Sequence, residues 1–287
     1  MTNTGSDRPG DRAVDSRARA RGCLLGLACG DALGRPVDGD AGAAVRDRYG
    51  RVTEQLGADG RPAGTTTEPT AAAVAVADRL LRRDDQQAIS TGAASGGAIP
   101  PEPAAHPGTL LAAAVPYGLV DATAADRAAL AAAATTRVER ATADDPAAET
   151  CAALATIIGE LIGGASVENA VSTAMGVAVD RGSPVALRET LAVVGDRGAV
   201  TIDARGDQSA LFETALHEAV AAADAEEAIV SAVSRGGHAS TLGAVAGAVS
   251  GARFGEDAIP ARWVNELDES PDVRSLGASL TEIARTR

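Results

Sequence analysis

The sequence has no lysine and very few aromatic residues. All 26 basic residues are arginine, and Phe, Tyr and Trp together make up 2% of the 287 residues. A core with so few rings must be packed from Ala, Val, Leu and Ile, whose small side chains suit helices that approach one another closely. The 39 acidic residues give a formal net charge of −13. This charge excludes a general nucleic-acid partner, because phosphate binding needs a basic face. The acidic, lysine-free composition fits either a high-salt cytoplasm or a GC-rich genome.

Cysteine is scarce, and long apolar runs are missing. Cys23, Cys29 and Cys151 fit neither a disulfide framework nor a zinc knuckle, so we expect three buried free thiols. The N-terminus lacks the apolar segment of a signal peptide. No stretch reaches 18 uncharged apolar residues, so we expect no membrane span and no membrane partner. These absences predict a cytoplasmic protein, which we expect to be a monomer.

Alanine, the best helix former, is abundant along the whole chain, whereas alternating strand-like runs are few. The sequence therefore predicts an all-α protein with one compact domain over residues 17–287. Residues 1–16 are polar and are predicted to form a disordered tail. Short extended pieces are predicted within 35–66 and at 199–203, and a long loop over 85–108. Helices are predicted at 17–34, 70–83, 109–120, 124–139, 146–163, 166–180, 184–195, 209–222, 225–234, 240–253 and 275–285.

Small residues recur at every fourth position in two of these helices. Such spacing places them along one ridge of a helix, where another backbone can approach closely. The pattern favours tight packing within a soluble bundle. The residues are Gly22, Gly26 and Gly30 in the first helix, and Ala239, Gly243, Gly247, Gly251 and Gly255 in the other.

Two helix starts carry oxygen-bearing side chains. In "RGGHAST" the hydroxyls of Ser240 and Thr241 can cap free N–H groups, and a helix N-terminus also attracts anions. In "TTTEPT" the position of Pro69 fits the first turn of a helix that Thr67 or Glu68 would cap. Each start is open to two interpretations, a plain helix cap or part of a ligand site.

Five collinear stretches resemble the ADP-ribosylglycohydrolase family, which includes the glycohydrolase that reactivates dinitrogenase reductase and the J1 crystallins. They are "RGCLLGLACGDALGRPV" at 21–37, "TTEPTAAAVAVADRLL" at 66–81, "HPGTLLAAAVPYGL" at 106–119, "ATADDPAAETCAALATIIGELIGG" at 141–164 and the segment 211–263. The resemblance covers most of residues 20–265. It implies a compact orthogonal helical bundle. It also implies two magnesium ions beside the ribose of ADP-ribose, and cleavage of glycosidic bonds to that ribose.

The resemblance also implies that the metal ligands lie at the two helix starts. Where the family has Thr, Asp and Asp, this chain has Thr67, Glu68 and Pro69. At a later turn Ala143 stands where the family usually has His. The first group therefore keeps its Thr, exchanges one Asp for the longer Glu, and loses the other.

At the second start the family has Asp, Asp and Thr, whereas this chain has His238, Ser240 and Thr241. Magnesium requires hard oxygen ligands in a near-ideal octahedron at about 2.0–2.1 Å. A single carboxylate, that of Glu68, would leave two dications badly under-neutralised. We therefore expect no catalytic residue other than Glu68, should the protein be active.

Histidine is a poor ligand for magnesium but accepts zinc or iron. We accordingly expect no cofactor. The alternative is a single divalent metal held by Thr67, Glu68, His238 and Thr241. Residues expected to bind the ligand are Asp31, Gly108, Gly236, Gly237, His238 and Ser240, of which Asp31 is also expected to cap or bridge within the bundle.

Three hypotheses follow from the resemblance and the departures. The first is a pseudoenzyme that binds ADP-ribose, a related nucleotide or an ADP-ribosylated protein without cleaving it. The second is an active ADP-ribosyl hydrolase that uses a single or non-standard metal. The third is a structural or partner-binding protein of the crystallin type, which a filled cleft would favour.

Overall fold

The computed structural model describes residues 14–82, 107–121, 145–194, 207–268 and 270–285. Within these ranges the chain forms α-helices and contains no strand, so the predicted all-α class is confirmed. The helices are α1 (Ser16–Gly34), α2 (Gly42–Tyr49), α3 (Glu68–Leu81), α4 (Pro107–Asp121), α5 (Asp145–Ile162), α6 (Val167–Asp180), α7 (Val185–Val193), α8 (Gln208–Ala221), α9 (Ala225–Val233), α10 (Ala239–Phe254), α11 (Ala261–Glu266) and α12 (Ser270–Arg285).

Two antiparallel helices, α1 and α10, form the centre of the bundle. Their glycine ridges face each other, backbone against backbone. A Cβ added to Gly26 would lie 2.8 Å from the carbonyl carbon of Gly247, closer than real Cβ atoms come. The predicted close packing of small residues is therefore confirmed, and we call this interface the glycine seam. Its further pairs are Gly22 with Gly251, Gly30 with Gly243 and Gly34 with Ala239.

The other helices surround this pair. Helices α8 and α9 pack on α10, α12 packs on α1 and α4, and α3, α4, α5 and α6 follow one another in contact. Trp263 is fully buried, and its indole Nε1 donates a hydrogen bond to the carbonyl of Thr53 at 3.0 Å. The bond joins α11 to the segment between α2 and α3. That segment lies at one end of the bundle, where the candidate site forms.

The three cysteines are buried and free, as predicted. Burial raises the pKa of Cys23 and Cys29, and it raises the pKa of Cys151 to about 12. All three thiols therefore remain protonated at neutral pH and serve as small apolar packing groups.

The sequence-based prediction fails mainly between residues 35 and 66. Turns with short extended pieces were expected there, and the helix α2 was not. α11 was also missed, and at six residues it is too short to show a helical period. The predicted helix at 124–139, the piece at 199–203 and nearly all of the loop at 85–108 lie outside the described residues.

The start of α1 differs slightly from the expected tail boundary. The helix begins at Ser16, and the side chain of Asp15 accepts a hydrogen bond from the backbone N–H of Ala18 at 2.8 Å. Residues 14–16 therefore belong to the helical domain, while residues 1–13 lie outside the described part. Among the described helices, none is long and apolar enough to cross a bilayer.

Candidate functional site

A buried carboxylate from α1 closes the N-terminus of α3. Asp31 has no exposed surface and accepts hydrogen bonds from the backbone N–H of Thr67 at 2.8 Å and of Thr70 at 3.1 Å. The hydroxyls of both threonines also donate to it, that of Thr70 at 2.6 Å. Burial raises the pKa of Asp31, and the four hydrogen bonds act against this rise. Asp31 thus caps α3 within the bundle, as expected from the sequence.

A second carboxylate closes the N-terminus of α10. The side chain of Asp38 accepts a hydrogen bond from the backbone N–H of Ser240 at 2.9 Å. The N-cap residue His238 makes no capping hydrogen bond with its side chain. A carboxylate from a distant part of the chain therefore satisfies one of the free N–H groups at the start of α10.

The two glycines before α10 tie this helix start to the segment that carries Asp38. Gly236 and Gly237 have φ angles of 70° and 65°, a region that favours glycine. The N–H of Gly237 donates to the carbonyl of Asp40 at 2.7 Å, and its carbonyl accepts from the N–H of Gly39 at 2.7 Å. These paired bonds fix Asp38 beside the start of α10.

Arg35 organises the opposite wall. Its side chain is buried, with 9% of its surface exposed. Nη1 donates to the carbonyl of Ala58 at 2.7 Å and Nη2 to that of Pro62 at 2.7 Å. The guanidinium therefore holds the loop between α2 and α3 against the end of α1.

That loop contains a tight two-residue turn. Asp59 and Gly60 have φ angles of 52° and 73°, and Ala58 and Arg61 exchange backbone hydrogen bonds at 3.2 and 2.9 Å. Positive φ at both central residues is typical of a type I′ turn, which Asp-Gly favours. The turn presents the side chains of Asp59 and Arg61 to the same space as the two helix starts.

These elements enclose a polar cavity of about 550 Å³, which we call the helix-start cavity. Its volume lies within the range of small-molecule sites. The lining residues are Arg35, Asp38, Asp59, Arg61, Thr67, Glu68, Pro69, Thr109, His238, Ser240 and Thr241.

The structure brings together one part of the predicted site. Thr67, Glu68, His238, Ser240 and Thr241 all line the helix-start cavity, although the first two lie far from the others in the sequence.

The other residues predicted to bind the ligand do not line the cavity, but they contact or position residues that do. Asp31 bonds to Thr67, Gly236 and Gly237 form the turn before His238, and Gly108 packs against Thr241. A Cβ on Gly108 would lie 2.7 Å from the Cβ of Thr241, so only glycine fits there.

Five residues that line the cavity were not predicted from the sequence, namely Arg35, Asp38, Asp59, Arg61 and Thr109. The Asp-Gly pair at 59–60 was a usable signal for the turn. No sequence pattern indicated that Asp38 would reach α10, 202 residues further along the chain.

Few side chains at the two helix starts have an oxygen atom that could bind a metal ion. The hydroxyl of Thr67 already donates to Asp31, and the carboxylate of Asp38 already accepts from Ser240. Pro69 has no side-chain oxygen, which leaves the exposed Glu68 as the one carboxylate at the positions that the resemblance assigned to metal ligands. Among the described residues, no three His, Cys, Asp or Glu side chains form a group that could hold a metal ion.

The comparisons with known proteins agree with the fold. A solved structure, described as an ADP-ribosylglycohydrolase-related protein complex, is similar to this chain with a TM-score of 0.75 and 27% sequence identity. The match covers 94% of this chain and 99% of that one. No curated protein matches the sequence. The sequence matches the ADP-ribosylglycohydrolase family over residues 12–287, and the chain therefore belongs to that family.

Proposed function

We propose that this protein binds ADP-ribose, or a protein that carries it, in the helix-start cavity, without magnesium-dependent hydrolysis. The observation that carries the proposal is the combination of a polar cavity at the expected helix starts with a depleted set of metal donors.

The cavity wall supports recognition of a ligand with both phosphates and hydroxyls. Arg61 is exposed, lines the cavity and makes no ion pair within the described part of the chain, so its guanidinium is available to a diphosphate. The carboxylates of Asp59 and Glu68 line the same cavity and can accept hydrogen bonds from ribose hydroxyls. Carboxylates already accept backbone N–H groups at both helix starts, so we assign the phosphates to Arg61 rather than to a helix dipole.

The donor set does not fit the two magnesium ions that the family resemblance implies. Two dications need several ionised oxygens at the helix starts. Asp31 is buried and holds the start of α3, and Asp38 accepts a hydrogen bond from Ser240. At the positions that the resemblance assigns to the metal ligands, Glu68 is the one carboxylate, and Asp59 lines the cavity from a turn outside those positions. We therefore derive no catalytic step through a metal pair.

One arrangement favours a second candidate function. Glu68 and His238 line the same cavity, and a carboxylate with an imidazole suits a single transition metal better than magnesium. Metal analysis of the purified protein, together with an assay for ADP-ribose release from ADP-ribosyl-arginine, tests this candidate. Stoichiometric zinc or iron together with turnover would replace the first proposal.

Calorimetric titration with ADP-ribose tests the binding proposal. We expect binding heat with the same dissociation constant in magnesium and in EDTA, and intact ligand afterwards. Arg61→Ala should weaken binding about tenfold, a change typical of one lost charge-assisted contact. Arg46→Ala is a matched control, because Arg46 is exposed on α2 and does not line the cavity.

No heat at millimolar ADP-ribose would overturn the binding proposal and favour the structural or partner-binding hypothesis. The cytoplasmic location and the monomeric state stay predictions, and size-exclusion chromatography with light scattering tests the second of them.

A further inference from the structure

A second cavity, of about 820 Å³, lies at the other end of α10. It shares no lining residue with the helix-start cavity. The 16 residues of α10 separate the two by about 24 Å. We call it the helix-end cavity, because it lies where α8 and α10 end.

The walls of the helix-end cavity combine apolar and polar side chains. The apolar part comes from α6, α7, the residue after α7 and the last residue of α10, and its members are Val167, Val171, Met175, Leu191, Val194 and Phe254. Two arginines, Arg19 and Arg253, bring positive charge to this apolar surface. A concave apolar wall with a few polar groups is the usual composition of a small-molecule site.

Arg253 uses only part of its guanidinium for the fold. Nη1 donates to the carbonyls of Ala219, Val220 and Ala222 at 3.1–3.3 Å and so caps the end of α8. Nε and Nη2 make no hydrogen bond within the described residues, and neither atom is buried. Nε and Nη2 form the edge of a guanidinium that presents two parallel N–H groups, the geometry that matches a carboxylate. The role of Arg253 in capping α8 therefore does not use its Nε–Nη2 edge.

Arg19 adds a second cation to the same cavity. Its Nη1 donates to the carbonyls of Ala252 and Arg253, and its Nε to the carbonyl of Val14 at 3.3 Å, which leaves Nη2 without a protein partner among the described residues. Burial lowers the pKa of both arginines, because part of each side chain is withdrawn from water. A partly buried cation gains more from an anionic partner than a fully exposed one does.

The other ionisable groups of the helix-end cavity are Glu168 and His217. Glu168 is exposed and interacts with Arg253 through space, while its hydrogen bonds are local to the start of α6. No carboxylate is hydrogen-bonded to Arg19 or Arg253 in the described structure. The cavity therefore combines two incompletely paired guanidinium groups with apolar side chains from α6 and α7.

We propose that the helix-end cavity binds a small amphiphilic carboxylate, whose head group lies on the Nε–Nη2 edge of Arg253 and whose hydrocarbon chain lies along α6 and α7. Inorganic phosphate would leave the apolar wall uncovered. A nucleotide base would find little aromatic surface to stack on, because the guanidinium of Arg253 already lies over the ring of Phe254, 4.3 Å from its centre.

The test uses octanoate as the probe and its neutral analogue octanamide as the control. We expect octanoate to bind the full-length protein in a calorimetric titration, and octanamide to bind at least tenfold more weakly. Arg253→Lys keeps the charge but loses the parallel N–H pair, so it should weaken octanoate binding about tenfold. Val171→Trp fills the cavity and leaves both arginines intact, and it should abolish octanoate binding.

Thermal melting of each variant shows whether a loss of octanoate binding comes from a changed site or from unfolding. If Arg253→Lys does not fold, Val171→Trp alone tests whether octanoate binds in the cavity. ADP-ribose affinity should be unchanged in Val171→Trp, which keeps this test independent of the proposed function. Equal affinity for octanamide, octanoate binding that survives Val171→Trp, or competition between octanoate and ADP-ribose would each overturn the proposal.

Discussion

The glycine seam and the helix-start cavity lie next to each other but are built in opposite ways. The seam brings two helices together backbone against backbone, and its register follows from a four-residue spacing in each. The cavity is assembled from segments far apart in the sequence and is held by the carboxylates of Asp31 and Asp38 and the guanidinium of Arg35. We infer that the packing of α1 on α10 depends on the seam, whereas the chemistry of the cavity depends on side chains outside the seam.

The largest effect is expected in the seam. Gly247→Leu would place a side chain inside the backbone of α1, because even a Cβ would lie 2.5 Å from the carbonyl carbon of Gly26. The cost should exceed the whole free energy of unfolding, which is roughly 5–15 kcal/mol for a domain. Circular dichroism should show no cooperative melting. The control is Gly176→Leu in α6, which meets nothing within 4 Å and should melt normally. A stable Gly247→Leu variant would show that the seam does not depend on the close approach of the two backbones.

The next effect separates the two capping carboxylates. Asp31→Ala leaves four donors without their acceptor and should lower the free energy of unfolding by about 3 kcal/mol. Asp38→Ala removes one exposed cap and should cost about 1 kcal/mol. Urea unfolding measures both values. Equal losses in the free energy of unfolding would show that the four hydrogen bonds to Asp31 contribute no more than the single bond to Asp38.

Restoring the carboxylates at the assigned ligand positions tests whether their loss explains the expected loss of magnesium binding. Asp placed together at positions 68, 69, 238 and 240 should recover magnesium binding and raise stability by about 2.7 kcal/mol at magnesium one hundredfold above the dissociation constant. Thermal melting with and without magnesium measures the gain, and Asn at the same four positions is the neutral control. If the Asp variant melts at the same temperature with and without magnesium, the assignment of these positions is wrong.

The smallest effect concerns pH. Burial raises the folded-state pKa of Asp31 above its ordinary value of 3.8, so the contribution of this carboxyl is largest in acid and is lost as pH rises through the folded pKa. A backbone hydrogen bond from Ala18 lowers the pKa of Asp15, so that contribution is present above pH 3.8 and is lost as pH falls through the lowered pKa.

The two carboxyls can be compared by urea unfolding across the acid range. The stability of the wild type relative to Asp31→Asn should fall as pH rises, whereas its stability relative to Asp15→Asn should rise. Slopes of the same sign would contradict the assigned directions.

The sequence predicted most helices and the seam because both are local, repetitive patterns. Gly26 and Gly247 indicate a close approach by spacing alone. The start of α3 was also predictable, because Thr67 and Pro69 carry a recognisable helix signal. The bond between Asp38 and Ser240 was not predictable, since it depends on how α1 and α10 align in space. The role of Arg35 was hidden as well, because its acceptors are backbone carbonyls in a loop without a hydrophobic period.

The most direct test of the central claim is a crystal soaked in manganese and read by its anomalous signal. We expect no pair of anomalous peaks between the starts of α3 and α10, since Glu68 is the one carboxylate at the assigned ligand positions. Two peaks seated beside Glu68 and His238 would contradict it.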